Sequence, residues 1–306
     1  MPKRVAVDEV GAHNERMWER LAKAGIPYTR PQGTPPRDRA GKRRFLDRIT
    51  NGTLAGVELD GKRVLSLAGG GGWDAILFAE LGAATTLVDI SSTQLATVRR
   101  LARRRGTELD YLRTDMRDLS ALGNGEFDIV FHQHSLVFVP DAARVIGEVA
   151  RILAPLGVYV FSTMHPVTFL FYESWTGTGW RPKKSYFSPR PVPVLDPTWD
   201  FGRVKVRAPT YEYAHRIADL VNACVRSGFL VDGLWEWSPH REGGPAGSDD
   251  ALEQKLPAFI QIRARKTSSS DRGAIGSRQR TDPPAPPPFA RPPGYSRPSP
   301  RRTRDR

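Results

Sequence analysis

Along the middle of this chain, short apolar runs alternate with longer stretches of helical spacing, in a repeated order. RVLSLA (63–68) is a nearly unbroken apolar run, the pattern of a strand covered on both faces of a parallel sheet. DAILFAELGA (74–83) follows with helical periodicity and stops at a glycine. TTLVDI (85–90) predicts a second strand and STQLATVRRLARRRG (92–106) a second helix. LDYLRTDM (109–116) and FDIVFHQ (127–133) predict strands three and four. DAARVIGEVARILAPLG (141–157) reads as a helix plus turn, and VYVFSTM (158–164) as strand five. The pattern then breaks: 165–213 is rich in aromatics and prolines without clear period. Regularity returns with a helix over 214–228 and strands over 229–237 and 258–266, whose short connection predicts an antiparallel hairpin.

Upstream, 8–24 has helical spacing with Val10, Trp18, Leu21 and Ala22 on one side, stopped by Gly25 and Pro27. Residues 31–41 are proline- and glycine-rich and read as a loop. Alternating strands and helices imply βαβ units. The expected fold is α/β: a Rossmann-like, doubly wound, mostly parallel sheet of seven strands with an antiparallel C-terminal edge hairpin and helices on both faces. The expected organisation is an N-terminal helix and lid segment (1–45), a main domain (46–266) carrying the aromatic insert (165–213), and a tail (267–306).

Composition changes this picture in two places. The net charge of +13 invites a nucleic-acid reading, but nine arginines against three aspartates in the last forty residues supply nearly half of it. That tail also holds nine prolines and few apolar residues, so it cannot bury enough surface to offset the entropy of ordering it, and disorder is expected. One cysteine, Cys224, excludes an internal disulfide and fits a reducing compartment. With no apolar secretion segment at the start and no run of about 20 apolar residues, the expectation is a cytoplasmic protein without a membrane partner.

The candidate chemistry gathers at Gly69 to Gly72, at the end of the first strand. Glycine costs stability in regular structure, so the run implies a turn or a close approach. A phosphate loop of the G-x-x-x-x-G-K-[ST] kind is excluded, because Trp73 and Asp74 occupy the ground of its lysine. A dinucleotide fingerprint can be drawn through Gly70, Gly72 and Ala75 with Asp89 beyond, but no second mononucleotide unit follows.

The series of motifs resembles the class I S-adenosylmethionine-dependent methyltransferases over about residues 10–266. Val64, Leu65, Leu67, Gly70 and Gly72 match that family's VLDLGCGxG motif, while Ser66, Ala68 and Gly69 replace its Asp, Gly and Cys. Residues 127–141 look like its fourth-strand motif, and 151–166 like its R-x-L-x-P-G-G motif with Leu156 at the first glycine. The resemblance implies a methyltransferase using S-adenosyl-L-methionine. It implies Asp89 with Ile90 at the ribose, Asp115 and Met116 at the adenine, and Gln133 at the methionyl end. Ala68, Gly69, Gly70 and Gly72 would lie along the cofactor, with Tyr28 closing over it.

The acceptor is expected to be a small, largely apolar or aromatic organic molecule of the specialised-metabolite kind, methylated at oxygen or nitrogen under the aromatic insert. Histidine titrates near neutrality, and His134 and His215 are the candidate bases, with Glu173 as a further one. His132-x-His134 shares a strand face but lacks a third ligand, so no metal is expected. The rival readings are an RNA methyltransferase using the basic tail, and a methyltransferase-like binding protein that transfers nothing. Nucleic acid is the less favoured partner, and the oligomeric state is open.

Overall fold

The computed structural model describes residues 8–172, 174–182, 185–187, 194–196, 198–201, 203–238 and 244–268. The expected disordered tail, apart from its first two residues, and Glu173 lie outside the described residues.

Seven strands form one sheet: β1 (Arg63–Leu67), β2 (Ala84–Asp89), β3 (Asp110–Arg113), β4 (Phe127–His132), β5 (Leu153–Met164), β6 (Phe229–Trp237) and β7 (Phe259–Lys266). Their spatial order is β6-β7-β5-β4-β1-β2-β3. β1 pairs in parallel with β2 and β4, β2 with β3, and β4 with β5. β7 runs antiparallel to both β5 and β6, so the C-terminal hairpin closes one edge as expected. The chain reverses its direction of travel across the sheet after β3, and the crevice beyond the carboxyl ends of β1 and β4 lies at that switch point.

Period-two alternation distributes the strands' side chains between two cores. Val64, Leu87, Ile129 and Phe131 face helices α2 (Arg39–Ile49), α3 (Asp74–Glu80) and α4 (Ser92–Arg105). Their neighbours Leu65, Leu67 and Val130 face α5 (Ala142–Ile152) and α7 (Ile217–Arg226) on the other side. A third, smaller apolar cluster joins α1 (Glu9–Ala24) to the aromatic insert, with Leu21, Ile26, Trp199 and Ala208 buried together. Within the insert, Val194–Asp196 pairs with Thr210–Glu212, and Trp199–Asp200 with Lys205–Val206. Two short helices complete the described elements, α6 (Pro166–Phe171) and α8 (Asp249–Glu253).

Three local expectations change. The expected loop over 31–41 gives way at Asp38, whose carboxylate accepts from Gly41 N at 2.7 Å and caps α2. The helix expected within 141–157 ends at Ile152, and Leu153 already pairs with Phe127. Leu156, at the family's glycine position, takes a left-handed φ of 64° and stands 56% exposed.

Candidate active site

A cavity of about 470 Å³ opens beyond the carboxyl ends of β1, β2 and β4. One end is lined by the glycine turn, Asp89, Ile90, Asp115 and Met116. The other is lined by His134, Met164, Tyr172, Trp237 and Phe259.

The turn after β1 is built on left-handed backbone, with φ of 49° at Ala68 and 56° at Gly70. Alanine in that region carries a strain of about 1 kcal/mol that glycine would not. Much of what excludes side chains from the turn is the protein itself. A Cβ on Gly69 would stand 2.1 Å from Ser66 Oγ and 2.7 Å from Leu87 Cδ1. One on Gly71 would stand 2.1 Å from the carbonyl oxygen of Thr29, a backbone atom of the segment that crosses above.

Asp89 closes β2 beneath this turn. Its Oδ2 accepts from Gly70 N at 2.9 Å and its Oδ1 from Ser91 N at 2.8 Å, so the carboxylate ties the glycine turn to the start of α4. The residue is 4% exposed. Burial pushes its pKa up to about 6, against these two bonds, and the nearby carboxylates of Glu19 and Asp74 push the same way.

Asp115 is clasped by Arg117, Nε to Oδ1 at 3.0 Å and Nη2 to Oδ2 at 2.7 Å. The same guanidinium reaches Asp8, the cap of α1, at 2.6 and 2.8 Å. Burial works against the charge on Arg117, but the bonds to Asp115 and Asp8 outweigh it and the proton is held more tightly than in a free guanidinium. Met116 packs against the α5-side core while lining the cavity, and Gln133 donates its amide to the Ile49 carbonyl at 3.2 Å.

Ser66 and Asp74 form a contact that sequence reasoning missed. Ser66 Oγ donates to Asp74 Oδ2 at 2.5 Å, in a fully protected position. Asp74 opens α3, is 7% exposed and lines the cavity. Burial raises its pKa, against the bonds from Ser66 and the backbone at Ala75. The available signal was an acid eight residues beyond Ser66, at the start of a helix following the glycines.

At the other end, His134 adopts a left-handed φ of 56° and donates its N–H to Ser162 Oγ at 3.0 Å. Its ring lies 4.4 Å from that of Phe259 and 5.6 Å from that of Trp237, partly exposed to the cavity. Desolvation pushes its pKa down to about 4, so the imidazole is neutral throughout the physiological range. Tyr172 Oη donates to Glu253 Oε1 at 2.9 Å, and both line the cavity with Glu212. His215, expected at the mouth, is not among the lining residues. Its Nε2 lies 3.1 Å from the Leu136 carbonyl, where it fastens the turn after β4. His215 thus has a backbone partner outside the cavity lining, whereas His134 stands in the wall. His132 turns to the opposite face, against Tyr159 Oη at 2.9 Å, so the two histidines share no ligand. Among the described residues no group of three His, Cys, Asp or Glu could hold a metal ion.

Tyr28, in the short turn Pro27–Thr29, lines the cavity and lies edge-on to Trp199 and Phe201 at 5.9 and 5.3 Å. Glu19 of α1 accepts from Ser92 Oγ, Thr93 N and Thr93 Oγ1, binding the helix to the start of α4.

Comparison with known proteins places the chain among methyltransferase-like sequences and folds. Residues 65–161 match the family model described as a methyltransferase domain. The chain is similar to the uncharacterized methyltransferase YbaJ of Bacillus subtilis, 29% identical over 236 residues, covering 74% of this chain and 89% of that protein. It is 36% identical over 107 residues to the ubiquinone biosynthesis O-methyltransferase of Thiobacillus denitrificans; this covers 35% of the chain and under half, 46%, of that enzyme. Among solved structures, an S-adenosylmethionine-dependent methyltransferase from Mesorhizobium loti aligns with a TM-score of 0.55 at 26% identity, covering 71% of this chain and 96% of that one. Among the described residues no helix is long and apolar enough to cross a membrane.

Proposed function

We propose that this chain, by its similarities a class I S-adenosylmethionine-dependent methyltransferase, takes as acceptor a small, largely apolar or aromatic molecule methylated at oxygen or nitrogen. The observation that supports this reading is one continuous cavity whose two ends differ: carboxylates and a glycine turn at one, aromatic rings around a neutral histidine at the other. Its volume lies within the few hundred to about 1,000 Å³ usual for small-molecule sites.

The residues fit the cofactor. Asp89 offers an ionised carboxylate to a pair of ribose hydroxyls once its pH is above about 6. Asp115, held in place by Arg117, is suited to an adenine amino group, with Met116 and Ile90 as apolar neighbours of the ring. When bound, the cofactor supplies a sulfonium methyl that passes by in-line displacement to the acceptor, the carbon–sulfur electron pair returning to sulfur.

The protein's part is alignment, exclusion of water and removal of the acceptor's proton. His134, neutral and fixed through Ser162, is the proposed hydrogen-bond acceptor that orients the nucleophile; with a pKa lowered to about 4 it takes the proton only as methyl transfer makes that proton strongly acidic. Phe259 and Trp237 hold that ring and keep water from it. Glu173 is retained only as a proposal from the sequence. The single cysteine supports placing the enzyme in the cytoplasm.

The test is formation of S-adenosylhomocysteine when the protein is given S-adenosylmethionine and a panel of phenols, catechols and aromatic amines. Turnover on at least one class, unchanged when 267–306 are deleted, is the expected result. Turnover on RNA alone, lost with that deletion and weakening steeply with salt, would replace this acceptor by nucleic acid.

A further inference from the structure

Two carboxylates at the glycine turn lack a cation among the described residues. Asp89 and Asp74 take part in none of the ion pairs found there, although each is more than nine-tenths buried. An isolated carboxylate removed from water is costly unless something positive meets it. For Asp89 the neutral ribose hydroxyls and two backbone N–H groups suffice. The partners of Asp74 among the described residues are neutral as well, the Ser66 hydroxyl and the backbone at Ala75, and they orient its carboxylate without cancelling its charge.

Its position is narrowly defined. Oδ1 lies 2.8 Å from where a Cβ on Gly72 would be, and Oδ2 3.3 Å from where one on Gly69 would be. The carboxylate therefore underlies the glycines from within, between β1 and α3, with Ser66 Oγ and the start of α3 fixing its direction. A side chain at Gly72 would crowd it, so the bare backbone there also keeps an approach to Asp74 clear.

The geometry points to Asp74, oriented by Ser66, as the counter-ion for the cationic amino group on the amino-acid arm of the cofactor. The motif's usual acid on β1 is here a serine, and the carboxylate is carried instead on the first turn of α3, reaching back by 2.5 Å to the residue that replaced it. The short side chain at 66 is what makes room: Ser66 is wholly buried, and an aspartate there would set two carboxylates against each other in the same space. Positions 66 and 74 thus work as a pair, and their identities are complementary.

Because this concerns the cofactor end of the cavity, binding measurements test it whatever the acceptor is. Titration calorimetry is run with S-adenosylhomocysteine and with 5′-methylthioadenosine, which keeps the nucleoside and sulfur but has no amino-acid arm. Asp74→Asn is expected to weaken S-adenosylhomocysteine about ten- to a hundred-fold, the size of a lost bond to a charged group, and to leave methylthioadenosine within about two-fold. Equal losses for both ligands, or no loss for either, would overturn the assignment, since a merely structural aspartate acts on both or neither.

Ser66→Ala, which keeps the fold's volume, supplies a second arm should Asp74→Asn not fold. It removes the hydroxyl that favours the ionised carboxylate, so the pH below which S-adenosylhomocysteine affinity falls moves upward while that for methylthioadenosine stays put. An unmoved profile for both ligands would count against the pair.

Discussion

Arg117 grips Asp115 through two parallel N–H···O bonds while both side chains are less than a tenth exposed. Its hold on Asp8 is of a different kind, because the Asp8 side chain is 54% exposed. Removing Arg117 strands a buried carboxylate, and Arg117→Ala is expected to cost about 3 kcal/mol or more. Asp8→Ala forfeits a wet ion pair and a helix cap, together about 1 kcal/mol. Urea denaturation of the two variants measures the difference.

Cofactor affinity should depend on pH through Asp89. In the role proposed for Asp89 the ionised carboxylate is the form that would accept from ribose hydroxyls, and its pKa in the free protein is raised to about 6. Affinity is therefore full above pH 6 and lost as pH falls through it, by about ten-fold at pH 5. Asp89→Ala should weaken binding by about 2 kcal/mol at pH 7.5 and remove this slope. Calorimetry across pH 5–8 decides, and a wild-type affinity that stays flat down to pH 5 speaks against the assignment.

His134→Ala should lower kcat at least about a hundred-fold while cofactor affinity changes little, since its neighbours are at the acceptor end. With its pKa near 4, His134 gives the pH–rate profile no limb between 5 and 8. His215→Ala should act on stability instead, through the turn it fastens at Leu136. Steady-state kinetics beside thermal melts separate the two.

Gly71→Ala tests the seat of the N-terminal segment. The new Cβ meets the Thr29 carbonyl oxygen at 2.1 Å, and backbone on both sides leaves little room to yield. A cost of about 1–3 kcal/mol is expected, with faster proteolysis of residues before Thr29. Gly147→Ala, where nothing lies within 4 Å and the residue sits inside α5, is the control, expected to stabilise by about 0.5–1 kcal/mol.

Leu156→Gly should stabilise the protein by about 1 kcal/mol. The leucine is largely exposed and sits at positive φ, so little packing is lost and backbone strain is relieved. A rise in Tm of a few degrees is the expected reading.

Much of the fold could be read from apolar spacing. The central strands β1, β2 and β4 are nearly continuous buried runs, and Asp89 closes β2 at its carboxyl end. Helix α2 escaped because RAGKRRFLDRI offers only Phe45, Leu46 and Ile49 as large apolar positions in a highly basic segment behind prolines. The insert's strands are two or three residues long, too short to show a period. The Ser66–Asp74 contact was hidden for another reason: it depends on how the turn folds back, which spacing does not encode. The partner of His215, the Leu136 carbonyl, was hidden likewise, because spacing does not give the direction of its ring.

The seat of Thr29 on Gly71, with Glu19 fastened to Ser92 and Thr93, has a consequence for the cavity. The amino-terminal arm is a roof latched at three points to the floor it covers, if Arg117 and Asp8 are taken as the third. The glycine-turn end of the cavity is thus roofed by a segment whose fastenings all lie away from the His134 end, so the order of that roof depends on residues remote from the acceptor end.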